Sequence, residues 1–176
     1  MSAQPPDQVQ RGFQLVVAKE RFTLPSGREL ELDIVKHPGA AAIVPFISDT
    51  DVLLIRQYRH ATRDTILEVP AGKIDPGESP SETAVRELEE EIGQRAGRIE
   101  ELGWIWTTPG FTDEKIYLYS GFDLEASDSR PEDDEIIEAF RISLDEALDL
   151  IWRGELTDAK SAMALIHAAR RLGRLA

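Results

Sequence analysis

Apolar and polar residues alternate from Phe13 through Leu15 and Val17, and again from Leu30 through Leu32 and Ile34. Between these runs lies Pro25-Ser26-Gly27, a turn-forming triplet. A period of two with a turn at its centre predicts an antiparallel hairpin with one apolar face. Two strands alone are marginal, so that face needs cover from the rest of the chain or from a second copy. Ala40 to Ile47 is apolar at successive positions, as a central strand covered on both faces requires. After Ser48-Asp49-Thr50, a second strand over 51–58 ends in Arg56-Gln57-Tyr58-Arg59, and a short one over 65–70 leads into Ala71-Gly72.

The period then changes to that of a helix. Ser79, Pro80 and Glu82 make a capping box with proline at the first helical position, and Gly93 supplies the stop. Ala84, Val85, Leu88 and Ile92 fall on one stripe, with Glu87, Glu90 and Glu91 beside it. Arg86 and Glu89 project to the other side, where Glu82, Arg86 and Glu90 are spaced to pair. Strands follow over 98–107 and 115–122, separated by Thr-Pro-Gly-Phe-Thr-Asp-Glu, and another over 136–142. Ser143 and Glu146 open a helix that Gly154 closes, and a last helix covers about 158–172, with Ala162, Leu165, Ile166 and Ala169 on one face. Strands interspersed with three helices predict a mixed sheet between helical layers, an α/β/α sandwich carrying a small N-terminal hairpin. We divide the chain at residue 38, with 1–38 as the β segment and 39–176 as the main domain.

Composition narrows the functions open to such a fold. Twenty Lys plus Arg against 33 Asp plus Glu give a net charge of −13, which argues against sequence-independent binding to nucleic acid or to an anionic membrane. With no cysteine among 176 residues, disulfides and thiolate zinc sites are excluded. The leader MSAQPPDQVQ is neither basic nor apolar, and the longest apolar run, Ala40 to Ile47, is too short to span a bilayer. The expectation is a soluble cytoplasmic protein. His37, His60 and His167 are scattered and give no reason to assign them as ligands.

Glu87 and Glu91 lie on neighbouring helical turns, so their like charges repel and ask for a positive partner. Carboxylate oxygens without a nearby His or Cys suit a hard divalent cation, Mg²⁺ first and Mn²⁺ as a substitute. A solvated acidic helix face is the other reading of the same residues. Arg56 and Arg59, three apart, can grip a pyrophosphate by charge-assisted hydrogen bonds or serve in surface ion pairs. Glu68 arrives near the same loop, and glycine at position 72 allows close approach of backbone to an ion or phosphate. The acidic stretch from Glu125 to Asp134 reads as a loop over the site or as a solvated segment.

Gly72, Glu78, Arg86, Glu87, Leu88, Glu90, Glu91 and Gly93 reproduce the spacing of the Nudix hydrolase signature, with Gln94 departing at a packing position that the family fills with an aliphatic residue. Pro109, sixteen residues beyond Gly93, and the following Gly-Phe-Thr-Asp-Glu resemble the mark of the ADP-ribose pyrophosphatase branch. The resemblance implies Mg²⁺ held by Glu87, Glu91 and the Ala71 carbonyl, with Glu90 assisting. It also implies a substrate contact at Arg59 and Glu114 beside the terminal ribose. An acidic residue of the late loop would act as ligand or general base, Glu135 by register or else Asp133. Within that branch the N-terminal β segment helps to build a homodimer. The implied reaction is hydrolysis of ADP-ribose to AMP and ribose 5-phosphate. Another nucleoside diphosphate sugar is the alternative substrate, and a regulator that binds ADP-ribose without cleaving it is the alternative class.

Overall fold

A computed structural model describes residues 16–127 and 136–175. The hairpin is formed by β1 (Val16–Thr23) and β2 (Glu29–Lys36), which pair antiparallel from Val16↔Lys36 to Thr23↔Glu29. Phe13 and Leu15 lie outside the described residues. The first strand runs beyond the alternation that predicted it, because its later half, Glu20 to Thr23, is polar apart from Phe22. Ala18, Phe22, Leu30, Leu32 and Ile34 share one face by this register. Val17, expected with them, pairs with Val35 on the opposite face, among Lys19, Arg21, Glu31 and Asp33. Phe22 and Leu32 are 40% and 44% exposed, so the described residues leave part of the apolar face open.

Beyond the hairpin, the expected mixed sheet is present and a second, antiparallel sheet accompanies it. A mixed sheet has the order β6-β3-β8-β7 and contains β3 (Ala40–Pro45), β6 (Ala71–Lys73), β7 (Gln94–Trp106) and β8 (Lys115–Ala126). An antiparallel sheet has the order β5-β4-β9, from β4 (Asp51–Arg59), β5 (Asp64–Glu68) and β9 (Ile137–Ser143). The turn after β3 hands the chain from one sheet to the other, and an isolated Phe46↔Val52 bridge marks the transfer.

Every residue of β3 is buried, as its unbroken apolar run requires. It pairs parallel with β8 and antiparallel with β6, and side chains leave it alternately for two cores. Ala41 and Ile43 join Ala84, Leu88 and Tyr119 under the helix α1 (Pro80–Ile92). Ala40, Ala42 and Val44 join the larger core with residues of α2 (Leu144–Trp152) and α3 (Ala159–Arg171). The α/β/α layering therefore follows from one strand having no polar side. No helix among the described residues is long and apolar enough to cross a membrane.

Candidate active site

The capping residues of α1 form as their sequence requires. Ser79 accepts from the Glu82 N–H while the Glu82 carboxylate takes the Ser79 N–H, and Gly93 ends the helix in the left-handed region at φ 64°. These caps fix the helix against β6, which precedes it by one short loop. Val85 and Ile92 are only half-buried, whereas Thr83 and Glu91 are buried with Ala84 and Leu88. The apolar stripe is thus narrower than its sequence suggests, and a carboxylate occupies part of the inner face.

That carboxylate is aimed at the backbone of β6. Oε2 of Glu91 accepts from the Ala71 N–H at 3.3 Å. One turn earlier, Glu87 lies so close to Gly72 that a Cβ there would stand 1.8 Å from Glu87 Oε1. Glycine at 72 lets the Glu87 carboxylate lie against the backbone, and a side chain there would displace it. Ala71 and Gly72 are themselves set by pairing with Ala42 and Ala41 of the fully buried β3.

Arg86 does not point away from the acidic cluster, contrary to the helical projection. Its Nη1 donates to Glu87 Oε1 at 2.7 Å and to Glu90 Oε2 at 2.8 Å, while Nε donates to Glu78 Oε1 at 2.9 Å. Nη2 reaches Glu78 Oε2 and the Lys73 carbonyl. A long guanidinium can curl back over its own turn, which a projection of Cβ directions omits. Burial alone would favour the neutral form of Arg86, but Glu78, Glu87 and Glu90 outweigh it and bind the proton more firmly than usual. Glu78, held chiefly by Arg86 and also by the Thr83 hydroxyl, keeps its carboxyl below the ordinary range. The expected Glu82–Arg86 pair is absent because Glu82 is engaged with Ser79.

A second charged cluster stands at the end of β5. Glu68, 1% exposed, receives Arg59 side-on, Nε to Oε1 at 2.7 Å and Nη2 to Oε2 at 2.8 Å. Lys160 from α3 also donates to Glu68 Oε2 and bonds Asp158 at 2.9 Å. Burial disfavours the Glu68 charge most strongly, yet Arg59 and Lys160 together hold its carboxyl below the usual range. Arg59 is raised, first by Glu68, and the charge of Glu91 contributes, which ties this cluster electrostatically to the helix carboxylates. Asp158 caps α3 through the Ser161 N–H, and the buried Ser161 hydroxyl receives the Val69 N–H at 2.9 Å.

Arg56 does not join Arg59. Residues three apart on a strand face opposite ways, and Arg56 lies over the Phe140 ring at 3.9 Å, with Glu138 at 3.8 Å. The two arginines expected to grip a pyrophosphate together are thus not side by side on β4. Glu114 accepts from the Thr107 hydroxyl at 2.8 Å and faces His37 Nε2 at 3.5 Å. His37 Nδ1 accepts from the Gly39 N–H, which leaves the ring proton on Nε2, toward Glu114. Asp133 and Glu135 lie outside the described residues.

Lys160, Asp158 and Ser161 carried no functional signal in the sequence beyond the cap at Asp158, since their partners are about ninety residues earlier. A groove of about 400 Å³ beside α3, lined by Leu102, Ile166, His167 and Arg170, contains none of the predicted site residues.

The donors brought together are all oxygens: the Glu87, Glu90 and Glu91 carboxylates, with the backbone of Ala71 bonded to one of them. That set suits a hard cation and not a soft one. Among the described residues, no three Asp, Glu or His side chains converge as a complete metal site.

Residues 36–165 match the NUDIX domain profile. Over 161 residues the chain is 35% identical to an ADP-ribose pyrophosphatase of Bacillus subtilis (strain 168), covering 90% of this chain and 87% of the relative. It shows the same identity and coverage with a methanol dehydrogenase activator of Bacillus methanolicus. The crystal structure of an ADP compounds hydrolase superimposes with a TM-score of 0.82 at 26% identity, covering 99% of this chain and 100% of the other.

Proposed function

The chain belongs to the NUDIX family, and from that premise we propose that it hydrolyses the pyrophosphate bond of ADP-ribose to AMP and ribose 5-phosphate. The observation that carries the reading is the seating of Glu87 on Gly72 and of Glu91 on the Ala71 N–H, which directs two carboxylates at one short strand. The relatives named ADP-ribose pyrophosphatase and ADP compounds hydrolase supply the substrate class.

Glu87, Glu91 and the Ala71 carbonyl would hold a divalent cation, Mg²⁺ by the hardness of the donors and Mn²⁺ in its place, with Glu90 assisting. When bound, it would neutralise phosphate oxygens and acidify water. Arg86 keeps Glu87 and Glu90 in position and lowers their mutual repulsion. Arg59, 39% exposed at its side chain, is the diphosphate contact on the β4 side of the site, and Glu68 orients it. Glu114, held by Thr107, serves the terminal ribose. Glu135, or Asp133 in its place, is the general base or a further ligand.

The open apolar face of the hairpin supports residues 1–38 as a dimerisation segment and a homodimer as the working unit. A cytoplasmic location completes the proposal. Nucleoside diphosphate compounds assayed with Mg²⁺, their products separated by chromatography, test it: AMP and ribose 5-phosphate released fastest from ADP-ribose is the expected result. Faster cleavage of another nucleoside diphosphate sugar would move the substrate assignment. The equal identity to an activator protein favours a regulatory role as one other reading, and a regulator that binds ADP-ribose without cleaving it is its form here. Binding without product release would support it, although all three helix glutamates are retained here.

A further inference from the structure

Glu68 is a buried carboxylate served by two cations from different elements. Arg59 approaches along β4 and covers both oxygens with Nε and Nη2, and Lys160 approaches from α3 onto Oε2. Asp158 balances Lys160, so the four side chains carry two charges of each sign. Because Lys160 bonds Glu68 as well as Asp158, Glu68 keeps a cation when the Arg59 guanidinium turns away. The two differ in access: the Lys160 side chain is 14% exposed and the Arg59 side chain 39%. Lys160 is thus placed to stay with Glu68, and Arg59 to reach outward.

We infer that Lys160 is a positioning residue for the phosphate-binding side of the site: by sharing Glu68, it lets the Arg59 guanidinium engage diphosphate oxygens without leaving a buried carboxylate uncompensated. This rests on the reading of Arg59 as a diphosphate contact. Without Lys160, Arg59 becomes the only cation on Glu68 and is clamped there, since removing one partner of a buried charge is strongly unfavourable. A diphosphate must then compete with Glu68 for the same guanidinium, and binding weakens. The hydrogen bonds of Lys160 go to Glu68 and Asp158, so its loss should act on binding and leave the chemical step unchanged.

Lys160→Gln keeps a hydrogen-bond donor to Glu68 and removes the charge, and Lys160→Arg restores the charge. For Lys160→Gln the expected result is a KM for ADP-ribose raised at least about tenfold with kcat within about threefold of the parent, the pattern of lost uniform binding. Calorimetric titration with inorganic pyrophosphate in Mg²⁺ buffer should show an equal weakening. Lys160→Arg should recover both values to within about threefold. Adding Glu68→Gln to Lys160→Gln should also move KM and the pyrophosphate Kd back toward the parent, because the clamp on Arg59 is released. Unchanged pyrophosphate affinity in Lys160→Gln would overturn the inference, as would a fall in kcat and melting temperature at constant KM, which a merely structural lysine would produce. The pyrophosphate titration does not depend on which nucleoside diphosphate is cleaved, so a parent protein inactive on ADP-ribose would count against the proposed substrate alone. Arg59→Gln separates the remaining case: if it leaves pyrophosphate affinity unchanged, Arg59 is not the contact and Lys160 has nothing to release.

Discussion

Oε1 of Glu87 occupies the position next to Gly72 where any other residue would place its side chain, 1.8 Å from an ideal Cβ. Gly72→Ala must therefore push the Glu87 carboxylate away or displace β6 from β3. We expect kcat to fall by at least about 10²-fold, the scale of losing a positioned charged group. Gly27→Ala is the contrasting substitution: it has open space but φ of +85°, and should cost about 1 kcal/mol of stability with activity retained. Kinetics and urea denaturation of the two proteins check this, and a fully active Gly72→Ala would remove Glu87 from the site.

Glu87→Gln and Glu91→Gln should each lower turnover by about 10²-fold or more while the protein stays folded, since each removes a charged oxygen donor and keeps a similar shape. Gln at 91 can still accept from the Ala71 N–H. Near-parental turnover with Mg²⁺ in either variant would assign these residues to packing.

Arg86→Met leaves Glu78, Glu87 and Glu90 without their shared cation, so the melting temperature should fall at pH 7. The carboxyl of Glu78 is depressed in the folded protein. Its contribution is thus present above the ordinary carboxylate value of about 4.3 and is lost as pH falls toward the folded value. The difference between parent and variant should shrink on acidification through that window. A difference constant from pH 7 to pH 3 would show that Arg86 acts through packing of its stem.

Glu135→Gln should lower kcat strongly with little change in KM, the pattern of a group acting mainly in the transition state. Glu132→Gln controls for the charge of the same stretch and should resemble the parent. Equal, mild effects would return the general base to the helix glutamates, and a severe Asp133→Asn alone would move the role to Asp133.

Light scattering at micromolar concentration should give twice the chain mass, and Leu32→Lys on the open face of the hairpin should shift it toward one. A parent protein that is monomeric would end the assignment of 1–38 to dimerisation.

The elements most legible in the sequence are those whose determinants are local. Ser79, Pro80, Glu82 and Gly93 lie within one helix and define its ends, and the unbroken apolar run of β3 states that both its faces are covered. The acidic cluster was legible as a set of residues but not as a geometry, because Arg86 curls back to Glu78, eight positions earlier, against its nominal direction. Arg56 and Arg59 are close in sequence, but the strand turns them to opposite faces, which their spacing alone does not convey. Lys160 was out of reach altogether. Its contact with Glu68 depends on how the last helix docks, and no local pattern records that.

Ser161 takes the Val69 N–H into a buried hydroxyl, and Asp158 holds Ser161 from the cap of α3. The amide of Val69 is thus locked by a helix that begins about ninety residues later. Its hydrogen can exchange with solvent only when that helix lifts away, so Val69 should exchange at the rate of the amides in α3 and not at that of the short β5 edge beside it. The end of the chain and the strand leading into the acidic site would then open as one cooperative unit.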